Sequence, residues 1–571
     1  MSDALKSFST RATPQSQPAG GATVKNAAGG HVFAIDDMAR VRRFLVLGSD
    51  GGTYYTRAPE LTRQNAEVVL ELAKTNPVAL VDMITEISVA GRAPRQNPAI
   101  FALAIAASVA DEAGRGYALD ALPKVIRTGT HMYLFAGYVE QFRGWGRGLK
   151  RAVATWYNNK PADRLAYQIL KYRQREGWRH ADLLALSHPK PNDPLRDNLY
   201  RYITDTMTSR DAGRVDAITG KHREAYQAWP GDRDALPELV NAFIEVQDAT
   251  VSGAIHRIAN FDLSWEMLPD RLMNEPTIWE ALIAKGLPQT ALIRQLPRLT
   301  KLGLTTSKTG IVIADQLKNL EYLKRGRVHP INVLVAQRTY SSGRSMTGDS
   351  TWTPTPRITD ALDAAFYNAY GAVEPSGVPI LLALDVSGSM GSAASGLPLS
   401  CREVCAAMSL VSLNVETGAE VIGFSDGRSH SSGGSVLGSY TYGGWGGSNA
   451  VATRLDISPR RRLDDVTRYM AGLNFGRTDC ALPYVFAMKN KLDFGAVAVY
   501  TDNETWFGQV HPWQALDTYR QQVGHDVKSI VVSITATGTS IANPADPSQM
   551  DVAGFDSNVP QVLSEFAAGR I

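Results

Sequence analysis

Cysteine is almost missing from this 571-residue chain, which carries only Cys401, Cys405 and Cys480. So low and odd a count excludes a disulfide framework. The lone C-x3-C pair also lacks the second half of a structural zinc site. Reduced thiols of a cytosolic protein are the simpler reading. Long apolar runs are absent as well. No stretch approaches the roughly 18–20 apolar residues that span a bilayer, and the N-terminal "MSDALKSFST" lacks the apolar centre of a secretory leader. A cytoplasmic protein without membrane insertion is expected. Nor is there an excess of one charge. The net is +3, so any binding of nucleic acid has to come from local patches. No G-x-x-x-x-G-K-[ST] loop occurs, which removes an ATPase of that class. No Ser-His-Asp or paired-carboxylate arrangement stands out, so no residue is assigned a catalytic role and the chain is not read as an enzyme.

With 44% hydrophobic and 20% charged residues, the composition suits a globular protein too long for one core. Residues 1–30 are rich in Ser, Thr, Gln, Ala and Gly and read as a flexible lead-in. Over 31–374 apolar residues recur at helical spacing, as in "PELTRQNAEVVLELAKTN" and "PADRLAYQILKYRQREG". Many segments open on proline, which suits a first helical turn because it has no N–H to satisfy. Helix after helix with short loops predicts an α-solenoid, although no strict repeat is visible. From 375 to 571 the pattern switches. Apolar runs such as "PILLALD", "AEVIGF", "GAVAVYT" and "KSIVVSI" alternate with helical ones, which predicts a doubly wound α/β domain with a parallel sheet buried on both faces. One Gly- and Ser-rich insertion, residues 427–450, reads as a long surface loop.

The sharpest short motif is "PILLALDVSGSMG". Asp385 ends an apolar strand, and Ser387 and Ser389 follow at alternate positions. Alone, these residues would be read as capping a turn. But Asp502 ends a second strand in the same way, and Thr478 sits in the loop "GRTD" ahead of a helix. In open α/β sheets such loops converge at the carboxyl ends of the strands. Two carboxylates and three hydroxyls make a hard oxygen set with little charge, suited to Mg²⁺. The pattern resembles the metal-ion-dependent adhesion site of the von Willebrand factor A family, and the resemblance makes Asp385, Ser387, Ser389, Thr478 and Asp502 the metal candidates. It implies a non-catalytic site with one coordination position open to an acidic group from a partner. Arg477 replaces the second glycine of the usual G-G-T-D, and a guanidinium turned inward would oppose a cation.

Between 143 and 180 ten basic residues face only Asp163 and Glu176, with Trp145, Trp156, Tyr157, Tyr172 and Trp178 interleaved. That is an electrostatic footprint for phosphates, although charge runs are usually solvated helix faces. The wording of the chain goes further. "GGTYYTRAPELTRQNAE", "WGRGLKRAVATWYNNKPA", "KYRQREGWRHADLLALSHPKP", "ALDAAFYNAY", "TDCALP" and "YTDNETW" together resemble the Ro autoantigen family, with its module named for telomerase, Ro and vault proteins. The resemblance runs from about residue 50 to the C-terminus.

It implies a monomeric ring of HEAT-like helical repeats closed by a von Willebrand A domain. It also implies binding of small noncoding Y RNAs outside the ring and of 3′ single-stranded ends of misfolded RNAs through its hole, in RNA quality control. In bacterial relatives the RNA tethers the ring to polynucleotide phosphorylase. Lys171, Arg175 and His188 match the family's RNA-binding residues. Arg147, Lys150 and Arg151 follow from similar text. Lys171 and Arg175, four apart, are expected on one helix face. The competing reading is a metal-dependent protein-interaction scaffold whose helices act as a spacer.

Overall fold

Prolines without an N–H to satisfy open the helices Ala58–Thr75, Pro77–Ala90, Asn97–Val109, Pro276–Lys285, Pro330–Ser341 and Pro356–Asn368 at their first or second position. The computed structural model describes residues 12–20, 23–49, 53, 55–175, 177–206, 231–346, 348–371, 373–427, 440–443, 449–473 and 476–571. Helices over 37–368 pack on their neighbours as a solenoid. Their faces follow their place in it. Asn97–Val109 is apolar nearly all round and lies among Ala58–Thr75, Glu112–Val125 and Gly129–Phe142, whereas Arg147–Asn158 and Ala162–Lys171 bury one face only. Trp156 and Trp279 are fully buried, and each indole N–H reaches a carbonyl, of Ile126 at 2.6 Å and of Met273 at 2.9 Å.

Twelve strands occur among the described residues. The first four are β1 (Thr23–Lys25), β2 (His31–Ala34), β3 (Gln174–Arg175) and β4 (Trp178–Arg179). The next four are β5 (Ile380–Asp385), β6 (Glu420–Gly427), β7 (Tyr440–Gly443) and β8 (Asn449–Arg454). The last are β9 (Ala496–Thr501), β10 (Lys528–Ser533), β11 (Thr539–Ser540) and β12 (Gln549–Ala553). The main sheet runs β12-β10-β9-β5-β6-β8-β7, parallel from β12 to β6 and antiparallel through β8 and β7. Alternate residues of β5 serve two cores. Ile380, Leu382 and Leu384 join the core that continues into the helices, while Leu381 and Ala383 face a second core with Leu482–Lys489 and Pro512–Val523.

The sheet domain closes the solenoid into a ring. At one end, the Asp37–Leu47 helix lies on β12. Its buried Arg43 donates to the carbonyls of Thr537 (3.0 Å) and Thr539 (2.6 Å) and pairs with Asp551. Arg92 pairs with the buried Asp556 at 3.0 Å. At the other end, Arg462, just ahead of the helix Leu463–Ala471, pairs with Asp360 at 2.7 Å. Arg338 lies 3.5 Å from Glu403.

Two expectations need correction. The lead-in over 1–30 is not loose where it is described. Residues 12–20 and 23–34 form a strap on the sheet domain, with β2 between β1 and β11. The polar residues that suggested flexibility supply its hydrogen bonds instead, and Gln15 is fully buried. The 427–450 insertion is not wholly loop either, because Tyr440–Gly443 and Asn449–Arg454 extend the sheet past β6. Residues 428–439 and 444–448 lie outside the described residues.

Candidate functional site

Asp385 is the last residue of β5, and Asp502 directly follows β9. The two strands are parallel neighbours, with Leu384 opposite Tyr500, so both carboxylates leave the same edge of the sheet. Asp385 accepts from the Ser387 N–H and, through its other oxygen, from the Thr501 hydroxyl, each at 2.9 Å. The Ser387 and Ser389 hydroxyls are 3.1 Å apart, and Ser389 bonds to Asp502. The Thr478 loop is tied to both sides. The Gly388 N–H donates to the Gly476 carbonyl (3.0 Å), and the Trp506 and Phe507 N–H groups donate to the Thr478 carbonyl (3.3 and 3.2 Å). All five residues are buried.

Burial dominates the electrostatics of these carboxylates. Burial, and then Asp502, raises the Asp385 carboxyl, and burial raises Asp502. Burial and Asp502 together push Glu504 up to about 7. Tyr55, ahead of the helix Ala58–Thr75, is raised to about 12 by burial and then by Asp502. Arg402 is lowered to about 10 by burial, against the pull of Glu403 and Asp385. The guanidinium of Arg477 stacks 3.7 Å from the centre of the Phe507 ring. The donor set fits a divalent cation of the Mg²⁺ type: hydroxyl and carboxylate oxygens, with two desolvated negative charges to neutralise. Among the described residues no group of three or more His, Cys, Asp or Glu side chains is placed to hold a metal ion.

The strap beside this site was missed from sequence. The Gln15 amide donates to Asp479 and to the Val510 carbonyl, each at 2.8 Å, and accepts from Thr505. The Asn26 amide donates to the carbonyls of Asn503 (3.2 Å) and Thr505 (2.8 Å). These bonds pin the loop that carries Asp502. A Cβ on Gly30 would stand 1.9 Å from the Thr505 oxygen, so only glycine permits the approach. Nothing in the composition of 12–34 distinguishes it from a linker.

The basic stripe divides. Arg147 and Arg151 are exposed and Lys150 is half-buried, all on the first turns of Arg147–Asn158. Lys171 ends the helix Ala162–Lys171. Its ammonium is 3.2 Å from the Tyr167 hydroxyl and 3.8 Å from Glu266, and these neighbours hold its pKa up against burial. Arg175 is not on that helix. It lies in the hairpin β3–β4, opposite Trp178, with Gly177 at φ +79 making the turn. The shared helix face expected for Lys171 and Arg175 therefore does not form: the chain leaves the helix at Tyr172, and Trp178 packs on Trp145 with ring centres 5.9 Å apart. His188 is exposed and caps His180–Ser187 in the left-handed region, with φ 46.

A second group of cations was not legible in the sequence. Arg127 is lowered to about 10, first by burial and then by Arg327, two hundred residues away in the chain. Arg327 in turn packs against Gly91. Arg294 acts on the Tyr172 phenol. Like charges from loops far apart in the chain, Arg127 and Arg327, thus lie close enough to act on one another.

Comparison with known proteins follows both domains. The TROVE domain family matches residues 24–346, and the Ro60 vWA domain family matches 379–567. A Caenorhabditis elegans protein named RNA-binding protein RO60 is 34% identical over 609 residues, covering 96% of this chain and 90% of its own length. The Deinococcus radiodurans RNA-binding protein RO60 is 35% identical over 578 residues and covers 100% of both chains. The crystal structure of the Deinococcus radiodurans RO (RSR) protein matches with a TM-score of 0.64 at 34% identity, over 94% of this chain and 100% of that one.

Proposed function

This chain belongs to the Ro family, a TROVE domain joined to a Ro60 vWA domain, and on that premise we propose that it is an RNA-binding protein of RNA quality control or decay. The observation that carries the reading is the end-to-end match to relatives named RNA-binding proteins. The exposed cations Arg147, Arg151 and Arg175, with His188, suit the phosphates of a small structured RNA of the Y type on the outside of the ring. A single-stranded 3′ end of a misfolded RNA would be taken through the hole. The RNA would also tether the ring to a 3′ exoribonuclease such as polynucleotide phosphorylase. Asp385, Ser387, Ser389, Thr478 and Asp502 would hold Mg²⁺, which when bound neutralises the carboxylate pair and leaves a position for an acidic group of a partner. The chain's own part is to hold the two carboxylates in place through the Ser387 N–H and Thr501 bonds to Asp385 and the Ser389 bond to Asp502.

The test is RNA binding by filter retention at several salt concentrations, with the RNA that co-purifies from the source cells as ligand. Each lost phosphate contact should lower the log–log salt slope by about 0.7–0.9. Lys171→Ala/Arg175→Ala/His188→Ser should weaken structured RNA. Arg175→Ala/His188→Ser isolates the surface residues from Lys171, which is packed into the fold. Unchanged affinity and slope in both variants would remove these residues from the interface. Failure to recover any discrete small RNA would favour the scaffold reading.

A further inference from the structure

Residues 502–511 join β9 to the helix Pro512–Val523 without regular secondary structure, and most of them are buried. A buried loop has to find partners for its backbone polar groups. Here the strap supplies them. The carbonyls of Asn503 and Thr505 accept from the Asn26 amide. The Gly508 carbonyl accepts from the Gln15 N–H at 2.9 Å, and the Val510 carbonyl from the Gln15 amide at 2.8 Å. The Glu504 carboxylate accepts from the Ala28 N–H at 2.9 Å.

Asp502 opens this loop. The next residue, Asn503, is held at φ 64, a left-handed backbone that a non-glycine residue keeps only where its surroundings fix it. Its side chain is fixed from the sheet side, donating to Ser533 at 2.8 Å and accepting from the Ile541 N–H at 3.1 Å. Its carbonyl is fixed from the strap, by Asn26. Gln15 reaches across the site. Its amide joins Asp479, next to Thr478, to Thr505 and Val510 of the Asp502 loop. One fully buried side chain thus ties together two of the three loops that carry the metal candidates.

We infer that Gln15 and Asn26 are positioning residues of the candidate metal centre, and that docking of the strap and binding of the cation are coupled. Neither residue supplies a ligand. They fix the turn after Asp502 and the spacing of its loop from the Thr478 loop. Mg²⁺ demands near-ideal octahedral geometry, so its affinity depends on both loops being in place. Linkage makes the effect reciprocal: the factor by which the docked strap raises cation affinity is the factor by which the cation favours docking. The inference rests on the Mg²⁺ reading above and adds the residues outside the donor set that tune it.

The experiment titrates the full chain with Mg²⁺ by calorimetry and follows hydrogen exchange of peptides from 12–20 and 23–34 with and without the ion. Asn26→Asp keeps the side chain's shape and its acceptor for the Gly30 N–H, and loses the two N–H bonds to the loop. Gln15→Ala removes the bridge. Each should weaken Mg²⁺ about tenfold, a coupling of ordinary size. In the wild type Mg²⁺ should slow exchange in the strap, and Asp385→Asn should abolish that protection. This second measurement needs no strap variant and stands if one fails to fold. Trp156→Phe loses its bond to Ile126 within the helices, controls for general destabilisation, and should leave Mg²⁺ affinity unchanged. Wild-type affinity in both strap variants, or strap exchange indifferent to the ion, would overturn the coupling and leave the metal centre standing. Equal weakening by Trp156→Phe would refute a specific role for the strap. A wild type that binds no Mg²⁺ would overturn the metal reading and this inference with it.

Discussion

Replacing Arg43 by Met keeps much of the side chain's volume and removes the charge that fastens the first long helix to the sheet domain. In the folded protein this guanidinium is 2% exposed, and its partner Asp551 is 22% exposed. Without it, the Asp551 carboxylate and the carbonyls of Thr537 and Thr539 lose their shared donor. Breaking a buried pair in this way costs about 3–5 kcal/mol. Asp551 keeps some contact with water and a hydroxyl donor, Ser533, at 3.2 Å, so the lower end, about 3 kcal/mol, is expected. Asp551→Asn in the same chain removes the stranded charge and should recover about 2 kcal/mol of that loss, a coupling that a double-mutant cycle isolates. Urea unfolding followed by tryptophan fluorescence measures all four proteins. A loss below about 1 kcal/mol for Arg43→Met, or no recovery in the double variant, would refute the view that this pair holds the ring closed.

Saturating Mg²⁺ should raise the melting temperature of the wild type, by the equivalent of about 2.7 kcal/mol at a hundredfold excess over Kd. Asp502→Asn should abolish the shift, and equal shifts in the two proteins would remove the ion from this site. Buried His329 is lowered to about 4, mainly by desolvation. The unfolded imidazole takes up a proton below about 6.5 and the folded one only near 4. Stability from this residue is therefore complete above about 6.5 and falls by about 1.4 kcal/mol per unit as pH drops towards 4. Melting curves of His329→Gln should show a shallower decline over that window. Gly30→Ala would force its new methyl group onto the Thr505 carbonyl. It should loosen the strap at a cost of about 1–3 kcal/mol, read as faster proteolysis within residues 12–34.

Both domains were legible because their patterns are local. Helical spacing over 58–368 and the apolar runs of β5, β9 and β10 depend on residues near one another in the chain. The metal candidates were legible for a related reason. In a parallel sheet, residues that end adjacent strands must emerge together, so Asp385 and Asp502 are neighbours once their strands are. The Lys171–Arg175 spacing misled because helical periodicity carries no mark of where the helix stops. Tyr172 leaves the helix, and Gly177 turns the hairpin on which Arg175 is carried.

What the sequence determined by itself, then, is the kind of element at each place, the family, and the oxygen donors of the candidate metal centre. Tertiary structure alone decided the strap and the contacts that join the sheet domain to the helices. Gln15 meets Asp479 and Arg43 meets Asp551, partners 464 and 508 residues apart in the chain. A polar or basic side chain looks the same in a linker and in a buried contact. Only the closing of the ring brings it to the partner that makes its burial favourable.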